Sequence, residues 1–287
     1  SMIYSNHPKP EVLKSLADVI HTPYWLDDPA KPNPESQLTQ NISTDLLIVG
    51  AGYAGLWTAL LAKEQNPNRD VVLLEAGEVA TGASGRNGGF LDASITHGFL
   101  NGLSRWPKEI NTLHALGIKN LDEIESTLTR LGIECDYQRT GEIDIATEPY
   151  LLDEFQQFIE LARQHNIPFE YVDRDQLQGI VQSPLFLGGI KRPDTAVINP
   201  AQLAWGLRKA CLDLGVRLYE NTPVTKLVEE KNLVIAQTPH GLIRAQRVAL
   251  ATNAFPPLLK RISYYVVPVY DYVIMTEPLT TSQRDSI

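Results

Sequence analysis

The stretch TDLLIVGAGYAGLWTALLAKEQNPNRDVVLLEAG, Thr44 to Gly77, sets three glycines at the spacing GxGxxG between two short apolar runs. LLIV reads as a buried strand, AGLWTALLAKEQ as a helix and VVLLE as a second buried strand, the order of a βαβ unit with parallel strands. Gly50 is expected to make the tight turn after the first strand, Gly52 to let backbone approach a pyrophosphate, and Gly55 to let the helix pack closely on the sheet. The helix N-terminus then faces the phosphates. GxGxxG alone is weak. Here it follows a strand, opens a helix and is answered by Glu75 at the end of VVLLE, the context that makes it a dinucleotide site.

A carboxylate at position 75 meets ribose hydroxyls and repels a 2′-phosphate, which disfavours NADP and leaves FAD or NAD. The following TGASGRNGGF, Thr81 to Phe90, decides between them. A second glycine-rich segment just past the acidic residue has no task in a simple NAD domain. In a flavoprotein its backbone donors and its cation meet the pyrophosphate or the flavin ring. Without a ligand, the same loop is a flexible glycine segment.

Ahead of this unit, HTPYWLDDPAKPNPESQLTQNIS, residues 21–43, is rich in Pro, Asn, Asp, Gln and Ser and reads as an extended arm, so the folded core is expected to begin near Thr44. After it, LDEIESTLTRLG places Leu121, Ile124, Leu128 and Leu131 on one helical face. GEIDIATE alternates as a strand with one wet face, LLDEFQQFIELARQHN is a helix, FEYVD a strand and FLGGIKRPDTAVINP an irregular pair of strands. Pro200 opens a further helix that Gly215 closes. PVTKLVEE, NLVIAQTP and LIRAQRVALATN form a meander with turns at Lys231-Asn232 and His240-Gly241. YYVVPVYDYVIMTEP has the content of a strand pair. The fold class expected is α/β: a Rossmann-like parallel sheet with a β-meander, plus an incomplete antiparallel α+β substrate domain.

Of the 287 residues, 43% are hydrophobic and 21% charged, ordinary for a globular protein of one or two domains. Twenty-five Lys and Arg against 34 Asp and Glu leave a net charge of -9, which repels a phosphate backbone and argues against nucleic acid as a partner. Cys135 and Cys211 have no CxxC or His spacing around them and read as quiet core thiols in a reducing compartment. The start SMIYSNHPKPEVL has no leader pattern, and no apolar run nears the ~18 residues of a spanning helix. A cytoplasmic protein is expected, with Ser1 ahead of Met2 as a cloning scar.

From about Tyr24 to its C-terminus the chain resembles the glycine/D-amino acid oxidase (DAO) family of FAD-dependent oxidoreductases. The resemblance rests on DLLIVGAGYAGLWTA, LLEAGEVATGASGRNGG, NPAQLAWGLRKACLDLGVRLYENTPVTKL and VALATNAF, in that order. YWLDD and GASGRNGGF are similar to the branch that includes gamma-glutamylputrescine oxidases. It implies non-covalent FAD, with Gly50, Gly52 and Gly55, and Ala51, Tyr53 and Ala54 between them, at the pyrophosphate, and Glu75 and Ala76 at the adenosine ribose. Ser84, Gly85, Arg86, Asn87, Gly88 and Gly89 are then expected along the pyrophosphate and flavin, Val224 at the adenine, and Ala251, Thr252 and Asn253 beside the phosphates. Plain strand core is the other reading of Val224 and Ala251, and since backbone does the binding the two are compatible.

The chemistry implied is oxidation of a small-molecule amine, an amino acid or polyamine derivative: hydride passes to flavin, the imine is hydrolysed, and oxygen or another acceptor takes the electrons. No Ser/His/Asp set, HExxH or paired-carboxylate motif competes, and no catalytic residue can be named. His97 could face the ring, although a lone His is more often structural, and Tyr264, Tyr265, Tyr270 and Tyr272 could line an amine pocket or simply face a strand pair. The expected organisation is an arm over 1–43, an FAD-binding domain over 44–136 and 194–262, and a substrate domain over 137–193 and 263–287. Family members continue past the equivalent of Ile287 into further strands and a glycine-rich turn over the flavin, so an incomplete chain with impaired cofactor binding is expected. The alternatives are a non-catalytic nucleotide-binding fragment and an NAD-dependent dehydrogenase.

Overall fold

The computed structural model describes residues 9–15, 17, 18, 22–255, 257–269 and 271–287. A short helix α1 (Pro10–Ser15) precedes a single 3-10 turn, Tyr24–Leu26, and a long extended segment. β1 (Ile42–Val49), α2 (Tyr53–Gln65) and β2 (Val71–Leu74) then form the expected βαβ unit, with β1 and β2 parallel and Ile48 opposite Leu73. The strands sort their side chains by parity. Ile48 and Leu73 point into one apolar cluster with α2, whereas Leu47, Val49, Val72 and Leu74 point into another. Both faces of these strands are covered, which is why they read as unbroken apolar runs rather than alternating ones.

β3 (Phe90–Asp92), α3 (Phe99–Arg105) and α4 (Ile110–Leu131) follow, the last closed by Gly132 in the left-handed conformation at φ 62°. Leu121 and Leu128 on α4 are buried, as the periodicity requires. β4 (Glu142–Ala146), α5 (Pro149–Gln164), β5 (Glu170–Asp173), α6 (Arg174–Gln178) and β6 (Gly188–Arg192) make a separate antiparallel sheet of order β4-β6-β5. β7 (Thr195–Val197) pairs antiparallel with β3.

The chain then returns through α7 (Pro200–Asp213), whose start is capped by the Asn199 side chain accepting the Gln202 N–H, and packs beside α2. β8 (Arg217–Tyr219) joins β2 in parallel, and β9 (Lys226–Glu230), β10 (Leu233–Gln237) and β11 (Leu242–Leu250) form the meander. β11 docks in parallel on β1, giving a six-stranded order of β8-β2-β1-β11-β10-β9.

Two expectations are corrected. The arm is extended, but the core recruits it: Leu26 is 6% exposed and Leu38 fully buried, each inside an apolar cluster. Leu26 with Trp25 and Leu38 with Ile42 pack on these clusters, so the few apolar side chains of a largely polar stretch bury part of it. The strand pair over YYVVPVYDYVIMTEP is absent among the described residues: the chain there is irregular, ending in the four-residue helix α8 (Thr281–Arg284), and Tyr264, Tyr265 and Tyr272 are about nine-tenths exposed. Strand propensity forms no strand without a neighbour for its N–H and C=O groups, and no described strand lies beside this segment.

Candidate functional site

A cavity of about 760 Å³, within the range of cofactor pockets, opens where β1, β2 and β11 end, lined at their last residues by Val49, Leu74 and Leu250. Ligands of parallel α/β sheets bind off the carboxyl ends of the strands, and this cavity has that place. Three stretches form its walls: the glycine turn with the start of α2, the segment from Glu75 through the second glycine-rich loop to Arg86, and the pair Thr222–Val224 and Ala251–Asn253.

The turn is built by close approach. Gly50 has φ 103°, and a Cβ there would meet the Ala251 carbonyl oxygen at 2.5 Å. A Cβ on Gly55 would run into the Gly50 carbonyl oxygen itself, so α2 can start against β1 only with glycine at 55. The first N–H groups of a helix have no intrahelical partner. That of Tyr53 is taken by Ser84 Oγ at 3.0 Å, which ties the second glycine loop to the first.

Glu75 is bonded to the turn itself. Its Oε2 accepts the Ala51 N–H at 2.7 Å and its Oε1 the Gly77 N–H at 3.0 Å. Among the described residues, Glu75 is the one acidic and Arg86 the one basic side chain lining the cavity. Arg86 Nε donates to the Thr81 carbonyl at 2.6 Å. A cavity with a carboxylate bonded to the glycine turn, a helix N-terminus beside that turn and a guanidinium on a second loop fits a molecule with ribose hydroxyls and a pyrophosphate.

Gly50, Gly52, Tyr53, Ala54, Glu75, Ala76, Ser84, Arg86, Val224, Ala251, Thr252 and Asn253 all line the cavity. Ala51, Gly55, Gly85, Asn87, Gly88 and Gly89 do not, and act on its shape instead. Asn87 Nδ2 donates to the carbonyls of Ala83 and Ser84, its Oδ1 accepts the Gly89 N–H, and its own carbonyl accepts the Trp25 indole N–H at 2.9 Å. The Gly89 carbonyl in turn accepts the Ile198 N–H at 2.9 Å, fastening the loop beside β7. Tyr53 donates its hydroxyl to the Pro200 carbonyl at 2.8 Å, and burial raises its phenol well above the ordinary range.

Sequence reasoning missed Gly77, Ala80, the run Thr81, Gly82 and Ala83, and Thr222, Phe255 and Leu258 as wall residues. Gly77 to Ala83 carry no chemical signal of their own beyond their place after Glu75, and Thr222, Phe255 and Leu258 could have been found only from their nearness to the ends of β8 and β11. His97 is exposed, at φ 57°, and lines neither this cavity nor a second, water-sized one between Thr96, Phe169, Arg192 and Asp194. Tyr264, Tyr265 and Tyr272 line no described pocket because they stand in solvent, and Tyr270 lies outside the described residues.

The chain is 29% identical over 279 residues to a probable oxidoreductase, OrdL, of Haemophilus influenzae, covering 92% of this chain and 62% of that protein. It is 30% identical over 273 residues to the gamma-glutamylputrescine oxidoreductase of Escherichia coli, with the same coverage of 92% and 62%. The chain thus spans a little under two thirds of the length of these relatives. Among solved structures, glycine oxidase from Geobacillus kaustophilus superposes with a TM-score of 0.62 at 24% identity, over 74% of this chain and 56% of that one, a likeness of fold. Residues 45–287 match the family described as FAD dependent oxidoreductase, and the chain belongs to that DAO family.

Proposed function

We propose that the cavity holds FAD non-covalently and that the whole protein oxidises a small-molecule amine, an amino acid or a polyamine derivative. The observation that carries the first part is the pairing of Glu75 and the glycine turn at the ends of β1 and β2 with Arg86 on the second glycine loop. Bound flavin supplies the acceptor for a hydride leaving a carbon next to an amine nitrogen. This chain's own residues bind and orient: Glu75 toward ribose hydroxyls, the start of α2 and Arg86 toward the pyrophosphate, and Val224 at the adenine end through its backbone. The family match replaces the NAD-dependent alternative.

The same proposal divides the chain into an FAD-binding domain over 44–136 and 194–262 and a substrate domain over 137–193 and 263–287, with the arm over 1–43. The six-stranded sheet and the β4-β6-β5 sheet support that division. Oxygen or another acceptor completes the cycle. No described helix is long and apolar enough to cross a membrane, and two buried free thiols suit the reducing cytoplasm.

Anaerobic mixing of the whole flavin-loaded protein with a panel of primary amines, secondary amines and amino acids should bleach the flavin for at least one member. A panel in which every amine fails while a 2-hydroxy acid reduces the flavin overturns the amine reading. Acid precipitation that leaves the flavin attached to protein overturns the non-covalent one.

A further inference from the structure

We propose that the arm from Tyr24 to Leu38 is a clasp that sets the position of the cavity walls, with Trp25 as its positioning residue on the second glycine loop. The inference rests on the reading of the cavity as an FAD site. The arm lies ahead of the residues matched to the family, which begin at 45, yet it is bonded to two of the three stretches that form the walls.

On one side, the Trp25 indole N–H donates to the Asn87 carbonyl at 2.9 Å. Asn87 in turn bonds the Ser84 carbonyl at 3.0 Å, and Ser84 Oγ accepts the first N–H of α2 at 3.0 Å. An unbroken series of contacts therefore runs from the arm to the phosphate end of the cavity. Leu26 packs beneath the same loop, its Cδ2 at 2.9 Å from where a Cβ of Gly85 would stand.

On the other side, Glu220 is a buried hub, 2% exposed. Its Oε2 accepts the Glu35 N–H at 2.6 Å and lies 3.2 Å from the Arg208 guanidinium, while its Oε1 accepts the Val79 N–H at 2.7 Å. Arg208 also donates to Glu35 Oε1 at 2.8 Å and to the Asn33 carbonyl at 2.9 Å. The Leu38 N–H reaches Thr222 Oγ1 at 3.1 Å, and Lys31 pairs with Glu78 at 2.6 Å. Buried carboxylates are held this fully only where several N–H groups converge, so the arm, the loop after β2 and the segment after β8 keep one arrangement. By linkage, a cofactor that needs that arrangement must stabilise the arm in return.

The test is FAD titration of the whole protein, wild type and W25F, read by flavin fluorescence and by the visible spectrum at saturation, with amide exchange of the wild type in parallel. W25F keeps an aromatic ring and removes the indole donor. Its FAD dissociation constant should rise about fivefold, the value of one net hydrogen bond, and the band of the bound flavin should shift at saturation as loop 83–89 relaxes. In the wild type, FAD should slow exchange at the Glu35 and Leu38 amides together with those of Ala51 and Gly77. A W25F constant within twofold of wild type with an unshifted band overturns the clasp. If W25F fails to fold, the wild-type exchange decides: protection at Ala51 and Gly77 without protection at Glu35 and Leu38 also overturns it. A whole wild-type protein that binds no FAD overturns the cavity reading, and the clasp with it.

Discussion

Replacing Glu75 by Gln tests the centre of the site with two readouts. The carboxylate accepts the Ala51 N–H at 2.7 Å and the Gly77 N–H at 3.0 Å. A carboxylate has about four lone-pair sites, so two are left for ribose hydroxyls without breaking either backbone bond. The Gln amide keeps one acceptor oxygen and turns an NH₂ toward the other N–H. Because Ala51 is fully buried, an orphaned N–H there costs about 1–3 kcal/mol of stability before any ligand is added. Loss of a charge-assisted bond to the ribose adds roughly 1.5–3 kcal/mol in binding, or about ten- to a hundredfold in FAD affinity. Urea unfolding of the apo chain reads the first loss and quenching of FAD fluorescence the second. A variant with the wild-type urea midpoint and an FAD constant within twofold refutes both the bridging role and the ribose assignment.

Three further outcomes follow from the packing and the burial. G55A forces a methyl group against the Gly50 carbonyl and should cost about 1–3 kcal/mol in urea unfolding; an unchanged midpoint would show that α2 and β1 are not held at this separation. Burial pushes the Cys135 thiol up to about 11 and the Cys211 thiol up to about 12, so neither should react with a chromogenic aromatic disulfide at pH 8 until denaturant is added; fast labelling of the folded chain contradicts this. Burial raises the Asp194 carboxyl against the pull of Arg192, so the folded chain keeps this proton to higher pH than the unfolded chain does. Its contribution to stability is present below the ordinary aspartate range near pH ~3.9 and is lost as pH rises through the raised folded value. D194N should therefore gain in urea midpoint relative to wild type between pH 4 and pH 7, and a relative loss over that interval reverses the argument.

How much of this was legible in the chain varies with the range of the interaction involved. The glycine turn, α2, Glu75 and the meander are written in neighbouring residues: φ at Gly50, the close approach at Gly55, the apolar runs of β1 and β2 and the turn at Lys231, with φ 54°, are local facts. The sequence by itself therefore determined the βαβ unit, the cleft off the carboxyl ends of its strands and the acidic residue that lines it. It could not determine which residues of GASGRNGG face that cavity. Ser84 and Arg86 do so while Asn87 and Gly89 turn back to hold the loop, because Trp25 and Ile198, distant in sequence, supply partners for them. The fates of the arm and of the Tyr264 segment were likewise tertiary. An extended polar stretch became part of the core because Glu220, Arg208 and Thr222 meet its backbone and side chains, and a strand-like aromatic run stayed in solvent because no described strand lies alongside it. Composition and periodicity record what each segment can bury or bond; only the folded arrangement decides which partners are within reach.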